Sequence, residues 1–244
     1  MMVNDFKVAR KRYLEKRNMT DVPLRAALID MDGVLYDSMP WHARAWHRMM
    51  TDAGVDCTVE EFFLYEGMTG PATINLLFRR AFGRDAGEDE IRKLYTKKGE
   101  IFKSFGKKPP IPGADVMLRE FSRLGLRRIL VTGSAQMSLL DSLARDYPGA
   151  FLSGDRVTAL DVTHGKPDPE PYLKGLDIAC CRPEEAIVVE NAPLGVRAGV
   201  ASGCFTIAVT TGPIPYEAFE KENPDMIFPS MTAFAEILTN LWKD

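Results

Sequence analysis

No apolar run in these 244 residues is longer than a strand, so the chain offers no candidate membrane span. The stretch from Met1 to Arg17 is too charged for a signal peptide, which leaves the cytoplasm as the expected location. A basic excess is missing too. Lysine and arginine number 31 against 34 aspartates and glutamates, a formal charge of −3 that provides no footprint for nucleic acid. Cysteine is scarce, and Cys57, Cys180, Cys181 and Cys204 show no paired metal-ligand spacing. A chain of this size needs no disulfide scaffold, so the four read as reduced, mostly structural thiols. Internal repeats and low-complexity stretches are absent. What is present is 45% hydrophobic and 27% charged residues, enough to bury a substantial core beneath a polar surface.

The most informative segment is Asp30-Met31-Asp32-Gly33-Val34, directly after the apolar run Ala26-Ala27-Leu28-Ile29. Side chains two apart on an extended segment point the same way, so the two carboxylates can address one substrate. Asp30 can attack phosphorus and carry the phosphoryl group. Asp32 can protonate the leaving oxygen and later take a proton from water. The roles require one ionised and one protonated carboxyl, which a divalent cation beside Asp30 and not beside Asp32 would provide. Taken alone, the segment also reads as a turn.

Residues 1–21 form a charged lead-in whose Phe6, Ala9, Tyr13 and Leu14 share one helical face. Ser38 and Pro40 start a helix carrying Trp41, Ala45 and Met49, Thr58 to Glu61 is a capping box, Pro71 opens another helix, and 88–105 reads as a further one. No strand is expected between about 39 and 106, and the proline-rich stretch 107–113 suits a linker. From Asp115 onward helices and strands alternate: a helix to Leu124 with Gly125 as its cap, a strand from Arg128 to Val131, a helix from Ser138 to Tyr147, and so on through Phe205 to Val209. Such alternation predicts a doubly wound parallel α/β sheet. The expected division is an extension over 1–21, a core from 22–38 and 114–244, and an inserted helical unit over 39–113.

Three further segments carry chemistry. Ile129-Leu130-Val131-Thr132-Gly133-Ser134 ends a β-rich run in hydroxyls and a glycine before a helix, where backbone N–H groups and the Thr132 hydroxyl can bind phosphoryl oxygens. Gly165-Lys166-Pro167-Asp168-Pro169 offers a lysine, and Ala186-Ile187-Val188-Val189-Glu190-Asn191 ends a strand in metal-ligand chemistry. Singly, Thr132, Ser134 and Asn191 also read as helix caps, and Lys166 as a surface charge.

In this order the four segments resemble the haloacid dehalogenase superfamily of phosphotransferases, and Trp41 to Trp46 and Asn191 to Gly199 resemble its β-phosphoglucomutase-like branch. The resemblance implies a Rossmann-like parallel-sheet core with an all-helical cap and a Mg²⁺-dependent enzyme. Asp30 would be the nucleophile and Asp32 the acid and base. Thr132, Lys166, Gly133 and Ser134 would bind the phosphoryl group. The metal would sit on Asp30, the Asp32 carbonyl, Glu190 and Asn191.

The cap departs from a mutase. Where that branch reads lysine-glycine-valine-serine-arginine, this chain has Glu66-Gly67-Met68-Thr69-Gly70, and Ala135 and Gln136 stand where a mutase has lysine and asparagine. Asn191 replaces the usual aspartate. Glu66 could supply the missing carboxylate, and a cap glutamate with Glu-Asn in the fourth motif resembles inorganic-pyrophosphatase members, which need no distal sugar clamp. Glu66 also reads as a surface charge in the last turn of a helix capped by Gly67, and His42 and His47 as packing residues. Pyrophosphate is therefore the expected substrate, with β-phosphoglucomutase or a sugar-phosphate phosphatase as alternatives and a non-catalytic ligand-binding protein as the remote one. Partners are limited to a small phosphorylated substrate. The sequence leaves the oligomeric state open, and a monomer would satisfy it.

Overall fold

The computed structural model describes residues 3–134 and 137–241. Six strands form one sheet: β1 (Ala26–Ile29), β2 (Arg127–Val131), β3 (Arg156–Val157), β4 (Ala186–Glu190), β5 (Phe205–Val209) and β6 (Met226–Phe228). They lie in the order β3-β2-β1-β4-β5-β6, and all pairings are parallel. The inner strands are mostly apolar, with β1, β4 and β5 buried at every position, as a sheet covered on both faces requires. Leu28 is in register with Ile129 on one side and Val188 on the other. The chain leaves β1 toward β2 and β3, then returns to β4 on the opposite side. This switch point sets the ends of β1 and β4 next to each other, where open α/β sheets bind ligands.

Helix α1 (Val3–Glu15) precedes the sheet. Of the five helices that separate β1 from β2 along the chain, the first four form the inserted stretch: α2 (Met39–Asp52), α3 (Glu61–Leu64), α4 (Gly70–Phe82) and α5 (Glu88–Ser104). No strand is found over 39–106 among the described residues. The chain leaves for these helices and comes back along adjacent paths, for Ile111 N donates to the Leu35 carbonyl and Asp37 N to the Pro109 carbonyl, both at 2.9 Å. The remaining helices, α6 (Ala114–Arg123), α7 (Met137–Asp146), α8 (Glu170–Ala179), α9 (Pro193–Ala201), α10 (Tyr216–Glu220) and α11 (Met231–Asn240), alternate with the strands.

The Thr58 capping box forms reciprocally: Thr58 N donates to Glu61 Oε1 at 2.9 Å and Glu61 N to Thr58 Oγ1 at 3.3 Å. Two local expectations need correction. Helix α3 stops at Leu64 and is capped at Tyr65, so Glu66 and Gly67 lie in the turn beyond it and not in its last turn. Helix α6 is capped at Leu124, one residue before Gly125.

Candidate active site

Burial with satisfied hydrogen bonds defines the site. Asp30 continues β1 by one residue, its N–H donating to the Val189 carbonyl at 3.1 Å, and the residue is 5% exposed. Lys166 Nζ donates to Asp30 Oδ1 at 2.5 Å, to the Val131 carbonyl at 3.1 Å, and to Glu190 Oε1. The lysine is as buried as the acids, 2% exposed. An ammonium so far from water is tolerable only between carboxylates, and these two carboxylates raise its pKa against the opposing effect of burial. Glu190 is itself pinned. Its Oε1 also accepts from the Tyr172 hydroxyl at 2.7 Å, and its Oε2 accepts from the N–H groups of Asn191 and Ala192 at 3.0 and 3.2 Å.

Asp32 is held quite differently. Its Oδ1 accepts from the Ser38 hydroxyl at 2.5 Å and from His42 Nε2 at 2.9 Å, while His42 Nδ1 meets Lys98 Nζ at 2.6 Å. His42 stacks on Phe102 with ring centroids 4.0 Å apart. Ser38 thus starts α2 without capping it, because its hydroxyl is spent on Asp32. Burial alone would raise the Asp32 carboxyl, but His42, Ser38 and Lys98 outweigh it and the net direction is down. This corrects the expectation that its surroundings would keep Asp32 protonated. Burial lowers His42, with Lys98 adding and Asp32 opposing, and it pushes Lys98 down to about 7.

Between these groups the charge does not balance. Asp30 is raised by burial, then by Glu190 and Asp32, against Lys166. Glu66 is raised by burial, then by Asp30 and Glu190. Asn191 Nδ2 donates to Glu66 Oε1 at 3.1 Å, which brings the turn after α3 onto the end of β4. That bond leaves Asn191 Oδ1 buried without a partner. An orphaned acceptor beside crowded carboxyls is the environment a hard, oxygen-seeking divalent cation fits. Gly33 makes this placement possible: its φ is +84°, and an added Cβ would stand 2.6 Å from Asn191 Cγ. No three His, Cys, Asp or Glu side chains converge as a ready metal group among the described residues. An amide and a backbone carbonyl belong to the expected donor set, and Glu190 has both oxygens engaged elsewhere.

Thr132 and Ser134 are buried, and Ser134 N donates to Thr132 Oγ1 at 3.0 Å, leaving the threonine proton to point elsewhere. Gly133 faces the turn after α3, where an added Cβ would stand 2.6 Å from the Gly67 carbonyl oxygen. Asp30, Asp32, Thr132, Gly133, Ser134, Glu66 and Glu190 all border one cavity of about 60 Å³, whose opposite wall comes from α2 to α5. Asn191 and Lys166 stand just behind it through their contacts with Glu66 and Asp30. Ala135 and Gln136 lie outside the described residues.

Sequence reasoning missed three partners. His42 touches Asp32 and is not simple packing. Lys98 was legible in principle, because it interrupts the apolar face of α5 formed by Leu94, Ile101 and Phe102. Tyr172 carried no such signal; only the fold reveals that its buried hydroxyl meets Glu190.

Residues 24–203 match the family model of haloacid dehalogenase-like hydrolases. Hexitol phosphatase A of Escherichia coli (strain K12) is 33% identical over 75% of this chain and 81% of its own length. Glycerol-1-phosphate phosphohydrolase 1 of Saccharomyces cerevisiae is 30% identical over 77% and 75%. A solved structure assigned provisionally as a β-phosphoglucomutase, from Bacteroides vulgatus, superposes with a TM-score of 0.92 at 45% identity, covering 99% of both chains.

Proposed function

The chain belongs to the haloacid dehalogenase-like hydrolases, and on that premise we propose that it is a divalent-metal-dependent phosphatase of small phosphorylated carbohydrates and polyols. The observation that carries the chemistry is the buried Asp30 carboxylate, bonded to Lys166 and set at the switch point of the sheet. The names of the two relatives, a hexitol phosphatase and a glycerol-1-phosphate phosphohydrolase, support the substrate class over pyrophosphate.

Asp30 attacks phosphorus as the bond to the leaving oxygen breaks, and Asp32 relays to that oxygen a proton supplied by Lys98 through His42. Water then attacks the phosphoryl-aspartate, Asp32 takes its proton, and phosphate leaves with the Asp30 carboxylate restored. Lys166 balances charge at Asp30, and Thr132 Oγ and the Gly133 N–H donate to phosphoryl oxygens. Asp30, the Asp32 carbonyl, Asn191 Oδ1 and Glu66 would hold Mg²⁺, which when bound offsets the charge of phosphate and carboxylates. Glu190 positions Lys166 in this scheme and is not a direct ligand. The division into core and cap belongs to the same reading: the core supplies the nucleophile, and the cap brings Glu66, His42 and Lys98.

Two other substrates have specific support. Glu66 on Asn191 in a cavity of about 60 Å³ suits pyrophosphate, which is compact and shares a metal between its phosphates. The Bacteroides vulgatus structure supports a mutase. Phosphate release with Mg²⁺ from hexitol phosphates, glycerol 1-phosphate, hexose phosphates and pyrophosphate separates them. The proposal expects a polyol or carbohydrate phosphate to lead in kcat/KM, with EDTA abolishing turnover and Mg²⁺ restoring it. A lead by pyrophosphate transfers the assignment to the second reading, and interconversion of glucose 1- and 6-phosphate to the third.

A further inference from the structure

The cavity wall contributed by α4 and α5 depends on one missing side chain. Gly70 opens α4 and borders the cavity, and the ring of Tyr95 from α5 lies directly on its backbone. A Cβ built on Gly70 would run into Cδ2, Cε2 and Cζ of that ring, the last at 2.9 Å. The ring cannot step aside cheaply, because it also packs on Trp46 with centroids 6.0 Å apart, and Trp46 stacks on Phe62 at 6.2 Å. Trp46, Phe62, Tyr65 and Tyr95 line the same cavity, so its far wall is aromatic. The lysine and histidine on its lining are Lys98 and His42, already bonded to each other. A leaving group therefore meets flat rings beyond the phosphoryl site and, among the described residues, finds no spare ammonium or guanidinium on the lining for a second, distant phosphate.

Building on the phosphatase reading, we infer that Tyr95 determines substrate length: its ring occupies the volume of a side chain at position 70 and restricts the site to compact leaving groups. Gly70 is the complementary half of the device. No catalytic role is assigned to Tyr95, since the ring alone fills the space.

The test is a length ladder in two chemical series, assayed by phosphate release with Mg²⁺ for wild type, Y95A, Y95F, G70A and the G70A/Y95A double variant. One series runs from glycerol 1-phosphate to a hexitol 6-phosphate, the other from pyrophosphate to tripolyphosphate. In whichever series the wild type works, the shorter member should be preferred. Y95A should raise kcat/KM for the longer member relative to the shorter about tenfold, mainly through KM, while Y95F keeps the wild-type ratio. G70A should lower activity, and adding Y95A should recover at least part of it, a non-additivity that general damage would not produce. Circular dichroism and melting temperature check that each variant is folded. Equal losses on short and long substrates in Y95A, or a Y95F ratio matching that of Y95A, overturn the role of Tyr95 and leave the phosphatase assignment intact. A wild type releasing phosphate from neither series removes the phosphatase assignment, and this inference with it.

Discussion

At the scale of single residues, the two aspartates of one motif live in opposite electrostatic settings. Asp30 shares a lysine with Glu190 under dense negative charge, while Asp32 is gripped by Ser38 and His42 with Lys98 behind. Replacing Asp30 with Asn keeps the shape and removes the proposed nucleophile, so phosphate release should fall by about 10³-fold or more in steady-state assays; a variant retaining a tenth of the activity would sink the covalent route. His42→Ala breaks the contact through which, in the proposed mechanism, Asp32 exchanges its proton. Its kcat should drop by about 10²-fold with little change in KM, whereas a purely structural histidine would show itself in melting temperature and leave kcat alone. Gly33→Ala meets both a positive φ and the Asn191 amide, and the backbone strain alone costs about 1–2 kcal/mol. That variant should need at least about tenfold more Mg²⁺ for half-maximal activity, measured by metal titration, because the displaced group is the proposed ligand. The motif residues were legible from type and order alone. Lys98 showed only as an interruption of an apolar helical face and Tyr172 not at all, because a buried partner reveals its role only when the neighbours around it are known.

Among the elements, α1 shows how a charged segment becomes structural. Phe6 and Tyr13 meet Phe205 of β5 edge-on at 5.4 and 5.3 Å, Tyr13 donates to the Gly203 carbonyl at 2.6 Å, and Arg17 lies over the Tyr13 ring at 3.8 Å. The shared face of Phe6, Tyr13 and Leu14 was visible as helical spacing, but its destination on β5 was not, since nothing local encodes a partner some 190 residues away. Burial raises both the Tyr13 phenol and the nearby Cys204 thiol to about 12, from ordinary values of 10.0 and 9.0. Groups raised in the folded state contribute stability that is complete below their unfolded values and is lost as pH rises through the folded ones. Wild-type melting temperature should therefore fall between pH 9 and about 12, and a Y13F/C204A double variant should lose less over the same interval; parallel curves would count against the assignment. Helix ends were harder to read than helix faces. Ser38 starts α2 as its position suggested, but its hydroxyl serves Asp32, because a hydroxyl bonds whatever acceptor the fold brings within reach.

For the molecule as a whole, one contiguous apolar cluster runs from Ala43, Phe62 and Leu77 in the inserted helices to Ile29, Val189 and Phe205 in the sheet. A shared core of this kind predicts cooperative unfolding. Trp41 and Trp46 both lie in α2, so tryptophan fluorescence weights the insertion while far-ultraviolet circular dichroism weights every helix. The two denaturant curves should coincide; an earlier fluorescence transition would show that the inserted helices unfold on their own. By itself the sequence determined the fold class, the inserted helices and the four segments that build the site. Strand hydrophobicity, helix periodicity and residue chemistry are local properties that survive in a one-dimensional string. Tertiary structure alone decided that Asp32 answers to His42 and Lys98, that Glu66 lands on Asn191, and that Tyr95 rests on Gly70. These contacts join different elements, Glu66 and Asn191 across 125 residues and Lys98 and His42 across 56, and their geometry exists only once the helices are packed against the carboxyl ends of the strands.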